Sequence, residues 1–449
     1  MYLRSIRVQN LKLLRDVRLS FLDAAGEPRM WTVIVGENRL CKTTLLQAIA
    51  AAAAGTDRGT QLIGDVAASW PDLRRPVGVE LDAEFGFSAA RHARRIYPGR
   101  SPQPHPPRLA SILLLEPDKR VFLGASSYVG EAPPHGPTAG SFFDPLTDAR
   151  SKGLGDWFVA GYGPSRLLPG PGNAARAPEP AVDRLRPLFG QSLIGTGFID
   201  LFEEDLARAF ARTLREVFVA GGLLPHITAL ELRGRGGIRT ARDLTEAQRF
   251  EMDLVDAGGQ RIKVPATWLS HGYQSLIAWL ADLVGQILLE AYPVGKGSEV
   301  PGSEMEGLVL VDEIDVHLHP TWQVRLIPAL KKVFPRLQFI ATTHSPMVLP
   351  ALEQDEVWIL SQDDEGSVRA NPAPRAPALL TGSELYQSFF QLDELYPDDL
   401  GRKLRRYGEL ATDPLRSDTD EAELTGLGVE LQRAGLEFDW QPVARESAP

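Results

Sequence analysis

"WTVIVGENRLCKTTLLQAIAAAAAG", residues 31–55, changes its period halfway along. The opening "WTVIV" is a continuous apolar run, which predicts a strand buried on both faces. "KTTLLQAIAAAAAG" is rich in strong helix formers and predicts a helix that Gly55 stops. Between them lies a loop of Gly36, Glu37, Asn38, Arg39, Leu40, Cys41, Lys42, Thr43 and Thr44. A phosphate-binding loop reads Gly, four residues, Gly, Lys, then Ser or Thr. The chain meets that pattern except at Cys41, which stands where the second glycine belongs. Backbone N–H groups in such a loop, aided by the helix N-terminus, surround a phosphate. Lys42 is expected to reach terminal phosphates, and the Thr43 hydroxyl to ligate Mg²⁺.

Two further strands end in polar tips. "GLVLVDEIDVHLHPTWQVRLIPALKKVFP" reads as strand, acidic tip, loop and helix, with the acidic strand expected over 308–315. An apolar strand ending in two acids suits Mg²⁺ and a polarised water. Asp312 is assigned to the metal, through Thr43 or a bridging water, and Glu313 to the general base. "LQFIATTHSPMVLPAL" ends its strand near His344, placed to contact a γ-phosphate. Strand, loop and helix in succession predict an α/β sheet with its ligand at the carboxyl ends of the strands. "LSHGYQSLIAWLADLVGQILLEAY" (269–292) is a polar turn entering a long apolar helix whose dipole favours an anion. Ser270 also suits a plain N-cap.

The flanks carry less chemistry. "YLRSIRVQNL" and "LLRDVRLSF" alternate as a strand hairpin, and "VGVELDAEFGF" reads as another strand. From about 89 to 155 the order weakens, with "ARRIYPGRSPQPHPPR" and "GEAPPHGPTAG" read as surface loops. "WFVAGYGPSR" looks like a buried strand running into a tight loop. "PGPGNAARAPEPA" reads as an exposed connector, and residues 199–218 as a helix. "EVWILSQDDEGSVRA" supplies two strands, and the tail from 377 is charged and helical in pattern. The 449 residues suit one large domain with insertions or roughly two to four ordinary ones. A net charge of −10 argues against a protein that coats nucleic acid. No apolar run approaches the roughly 20 residues of a membrane span. A single cysteine excludes an internal disulfide and agrees with a cytoplasmic location.

"LSHGYQS" resembles the signature loop of ABC-type ATPases, Leu-Ser-x-Gly-x-x-Ser. The order of phosphate loop, signature, acidic strand and histidine matches as well, over roughly residues 1–370. The opening hairpin resembles the RecF/SMC-like branch. "VDEIDVHLHPTWQ" and "TTHSPMVL" resemble the compact ATPases of the OLD and Septu (PtuA-type) anti-phage systems. "GYGPSR" is similar to a loop of such proteins. The resemblance implies an ABC-type ATPase head over 1–376, with a mixed central sheet flanked by helices. It also implies a helical signature subdomain over about 199–292 and a helical extension over 377–449. ATP and Mg²⁺ would be the ligands, in a homodimer or higher homo-oligomer. Ser270 and Gly272 would touch nucleotide bound by the opposite subunit. Hydrolysis would gate a separate nuclease subunit, of HNH type by resemblance, with DNA met directly or through it. No nuclease activity of the chain's own is expected. A RecF-like repair ATPase and a non-hydrolysing nucleotide-binding scaffold are the alternatives.

Several side chains need separate readings. Cys41 retains the N–H donor, and its side chain is small enough to point away if φ stays negative. As a redox switch it would be a thiol of lowered pKa in a loop rich in N–H groups. Arg39 replaces a frequent glycine and would add positive charge or face solvent. His317 and His319 would share one side of an extended segment, in a packing or dimer-loop role, since no zinc set completes them. Arg233, Arg235, Arg239 and Arg242 form the best basic stretch, read as a solvated loop or a phosphate-backbone contact. Tail acids such as Asp398, Asp399, Asp418 and Asp420 do not cluster at strand ends as nuclease metals require.

Overall fold

The computed structural model describes residues 1–72, 74–75, 77–86, 108–129, 144, 146, 158–166, 184–190, 204–224, 226–232, 250–255, 258–291, 303, 305–392, 398–436 and 441–444. The loops read at 130–140 and 169–181, most of that at 93–108, and the arginine stretch from 233 lie outside them. The chain forms two compact units, Met1–Leu380 and Thr381–Pro449.

In the first unit, β1 (Tyr2–Leu11) and β2 (Leu14–Ser20) form the expected antiparallel hairpin. β3 (Trp31–Gly36) is buried along its whole length and leads through the loop into α1 (Lys42–Ile63). Gly55 breaks that helix, with φ 77° and ψ −177°, yet the helix resumes beyond it. β4 (Val79–Gly86) pairs with β1, and β5 (Arg108–Leu115) and β6 (Leu123–Tyr128) complete a five-stranded antiparallel sheet, β2-β1-β4-β5-β6. The last two strands correct the reading of 89–155 as loop-rich. "RLASILLL" alternates buried and exposed residues along its length, and the surrounding Pro and Gly hid that period.

The central sheet runs β14-β13-β3-β12-β11-β7. Its other members are β7 (Val159–Tyr162), β11 (Gly307–Val311), β12 (Leu337–Thr342), β13 (Val357–Gln362) and β14 (Val368–Pro372). All neighbours are parallel except β13 and β14, so the sheet is mixed. Trp31 stacks on Phe339 with ring centroids 4.5 Å apart, tying β3 to β12, a contact worth about 1 kcal/mol beyond its buried area. Ala48 to Ala54 are all buried, where α1 joins the five-stranded sheet and the central strands in one core. The small side chains of the six alanines in this run let both sheets approach the helix closely. Leu81, Phe85 and Leu113 fill that core from one sheet, and Ile34, Leu310 and Ile340 from the other.

Between β7 and β11 the chain forms α2 (Glu204–Arg215), a π-helical turn and α3 (His271–Ala291). It also forms a three-stranded antiparallel sheet of β8 (Ile227–Leu232), β9 (Phe250–Val255) and β10 (Arg261–Pro265). The region expected to be helical is therefore mixed. α4 (Pro320–Val333) follows the acidic tip. The second unit holds α5 (Gly382–Phe390), α6 (Asp398–Thr412) and α7 (Asp418–Arg433). Capping boxes at Thr381/Glu384 and Ser417/Asp420 start α5 and α7, satisfying N–H groups that the helices leave free. Tyr407, Leu410, Ala411, Leu424 and Leu431 pack α6 on α7.

Candidate functional site

Because β3, β12, β11 and β7 are parallel neighbours, their carboxyl ends meet on one edge. The phosphate loop leaves β3 at Gly36, where a Cβ would lie 2.6 Å from the Leu360 carbonyl oxygen. Only glycine lets β3 pass β13 there. Glu37, Asn38 and Arg39 are exposed, while Leu40 anchors the loop in the core. Cys41 has φ 61° and ψ 26°, and Arg39 has φ 77°. The negative φ on which an outward-pointing Cys41 side chain depended is therefore not met. The backbone keeps the left-handed turn that a glycine would make, and the cysteine bears the steric cost. The thiol donates to the Arg39 carbonyl oxygen at 3.8 Å. Burial pushes its pKa up, opposed by lesser contributions from the Leu13 backbone, Lys12 and Lys42. This reverses the lowered pKa expected of a redox switch.

Lys42 is only 6% exposed. Its ammonium donates to the carbonyl oxygens of Gly36 at 2.7 Å and Glu37 at 2.8 Å, spanning the loop. Burial lowers its pKa to about 8, although Asp312, Glu313 and Asp315 oppose that shift. The Thr43 hydroxyl donates to Asp312 Oδ2 at 2.6 Å. The opposite carboxylate oxygen accepts from Thr342 Oγ1 at 2.5 Å. Thr43 and Asp312 thus present hard oxygen donors, which Mg²⁺ takes together with substrate phosphates and waters. Thr44 is buried and accepts from Lys12 Nζ at 3.1 Å.

The acidic strand ends at Val311, earlier than the expected residue 315, and Asp312 onward is turn. Glu313 lies in the left-handed region at φ 47°, and its N–H donates to Thr342 Oγ1 at 2.8 Å. Burial first, then Asp312 and Asp315, raise the Glu313 pKa. Thr343 Oγ1 donates to Asp315 at 2.5 Å. His344 sits at the rim of the site, its pKa lowered by partial loss of water and then by the Lys42 ammonium. The phosphate loop from Asn38 to Thr44, with Lys12, Asp312, Glu313 and His344, lines one cavity of about 290 Å³.

Ser270 and Gly272 do not line it. Ser270 is exposed just before α3, and Gly272 is buried where a Cβ would lie 2.4 Å from the His317 carbonyl oxygen. His317 has φ 65°, and His319 caps α4 through Thr321, so the two do not share an extended segment. Both are exposed. Sequence reasoning missed Lys12, which stands at φ 51° in the hairpin turn. Its one signal is the break in alternation at "NLKLL". It also missed Arg166, at the end of the quoted "GYGPSR", whose guanidinium donates to the Glu313 carbonyl oxygen.

Residues 32–349 match the AAA_21 family, described as "AAA domain, putative AbiEii toxin, Type IV TA system". The chain belongs to this AAA domain family. The AAA domain chain is 22% identical to the Septu protein PtuA of Bacillus mycoides (strain KBAB4), over 96% of its own length and 50% of that protein's. It is 31% identical to the "Retron Ec83 probable ATPase" of Escherichia coli, over 35% of its length and 27% of that protein's. It thus spans half or less of these relatives. An SMC head domain from Thermotoga maritima aligns with 83% of this chain and 99% of that one, at 15% identity and a TM-score of 0.42. Among the described residues, no helix of this AAA domain protein is long and apolar enough to cross a membrane.

Proposed function

We propose that the chain is the ATP-binding and ATP-hydrolysing switch of a bacterial anti-phage defence system, dimerising around ATP and controlling a partner nuclease. One observation carries the reading: Lys42, Thr43, Asp312, Glu313 and His344, from three strand tips, face one cavity. Lys42 exchanges its bonds to the Gly36 and Glu37 carbonyls for the terminal phosphates. Thr43 and Asp312 would hold Mg²⁺, which would supply charge neutralisation on the phosphates. Glu313, its basicity raised by burial and neighbouring acids, takes the proton of the attacking water. His344 marks the γ-phosphate end, and Lys12 adds positive charge on the hairpin side. Ser270 and Gly272, away from this cavity in their own chain, serve the nucleotide of a second copy. Similarity to Septu and retron proteins supports the defence setting.

Phosphate release from purified protein with ATP and Mg²⁺ tests the enzyme reading, and Lys42→Ala should abolish ATP binding in titration calorimetry. Glu313→Gln should trap an ATP-bound dimer. A monomer by light scattering in saturating ATP would count against the switch. The left-handed Cys41 favours a second reading, a scaffold that binds nucleotide without turning it over. Binding without phosphate release would select it.

A further inference from the structure

We propose that Arg166 is a positioning residue for ATP hydrolysis, fixing the Glu313 peptide so that its carboxylate faces the nucleotide cavity. The inference rests on the assignment of Glu313 as general base. β7 is the edge strand beside β11, and Asp312 N–H still donates to the Tyr162 carbonyl oxygen at 2.8 Å. Four residues later the chain returns with Arg166, which is 1% exposed. Its Nη2 donates to the Glu313 carbonyl oxygen, and its guanidinium lies 5.9 Å from the centroid of Trp279. Among the described residues its Nε and Nη1 have no hydrogen-bond partner.

Such an arrangement is costly for a structural arginine, because a buried cation with unpaired donors opposes folding. What it secures is local. Glu313 occupies a left-handed conformation that an L-residue disfavours. Thr342 holds its N–H side, while Arg166 and the Val316 N–H, at 3.0 Å, hold its carbonyl. Released from Arg166, the peptide can relax toward ordinary helical φ and swing the carboxylate off the cavity. The flat face of Trp279 in α3 limits where the guanidinium can go, so its fork and not just its charge is used.

The test is Arg166→Met in the full chain, assayed with ATP and Mg²⁺. A misplaced base predicts a kcat loss of roughly 10²-fold, with KM and the calorimetric Kd for ATP within about threefold of wild type. The unfolding temperature should be equal or higher, since an apolar chain of similar volume replaces a buried charge. Arg166→Lys should recover only part of kcat. Wild-type kcat in Arg166→Met would overturn the proposal, as would matched losses of kcat, ATP affinity and stability. If Arg166→Met does not fold, Arg166→Lys decides, and an unchanged kcat there overturns it. Absence of hydrolysis by the wild type would instead sink the assignment of Glu313.

Discussion

Replacing Lys42 by methionine should stabilise the free protein while abolishing ATP binding. Burial lowers the Lys42 pKa from 10.5 to about 8. At about 1.36 kcal/mol per pH unit this corresponds to at most roughly 3 kcal/mol, reduced by solvent screening from the open cavity, that the fold gives up to keep the ammonium charged at neutral pH. Methionine fills similar space without charge. The variant loses hydrogen bonds to the Gly36 and Glu37 carbonyls, at about 1 kcal/mol each or less, since those carbonyls can turn to cavity water. A net gain of about 1–2 kcal/mol is expected at pH 7. The pH dependence fixes the cause. Below pH 8 both states hold the proton and the penalty is constant. Between 8 and 10.5 the unfolded chain binds more protons than the folded one, so wild-type stability rises relative to the variant. Above 10.5 the penalty is gone. Urea denaturation of both proteins at pH 7 and pH 10, read as a difference, measures this. A variant less stable at pH 7, or a gap that fails to shrink by pH 10, would refute the reasoning.

Three further outcomes follow from the same geometry. Cys41→Gly should change stability by less than about 1 kcal/mol, because relief of left-handed strain is offset by a freer unfolded chain, and should tighten ATP binding. Cys41→Val, β-branched at positive φ, should lose about 1–2 kcal/mol or more; equal thermal stability of the two variants would contradict the backbone reading. Gly272→Ala pushes a Cβ to within 2.4 Å of the His317 carbonyl and should lower stability by roughly 1–3 kcal/mol. Its turnover should fall further than its calorimetric ATP affinity. Because the Glu313 pKa is raised, phosphate release should decline on its acid side above the ordinary glutamate range. Asp315→Asn removes one like charge and should move that limb to lower pH; a shift upward would reverse the sign argued here.

The sequence was most legible where period and chemistry coincide. "WTVIV", "GLVLV" and "LQFIAT" are mostly apolar because each strand is buried on both faces, and each ends in a polar tip. Parallel pairing then brings those tips together. It was least legible where short strands sit among Pro and Gly, as at β5 and β6, and where β8 to β10 interrupt a region dominated by the helices α2 and α3. Backbone conformation at Cys41 could not be read from residue type, since cysteine carries no preference for positive φ. Arg166 was hidden for a different reason. Its partner is a main-chain carbonyl, which leaves no complementary side chain in the sequence to suggest it.

The position of the signature turn follows from contacts at both ends of the acidic segment. Gly272 lies against the His317 carbonyl, and Tyr273 meets Trp322 edge-on with ring centroids 4.2 Å apart. Two turns along α3, Trp279 faces Arg166 and Tyr162, and Asp282 accepts from the Tyr162 hydroxyl at 2.7 Å. The Asp282–Tyr162 bond is buried, so breaking it costs an interior hydrogen bond to a carboxylate. Moving α3 as a rigid body therefore disturbs both the loop after Glu313 and the arginine behind it. A nucleotide presented to Ser270 by a second copy would press on the first turn of that same helix. Occupancy of one site and the posture of Glu313 in the other would then share one mechanical element, as the proposed switch requires.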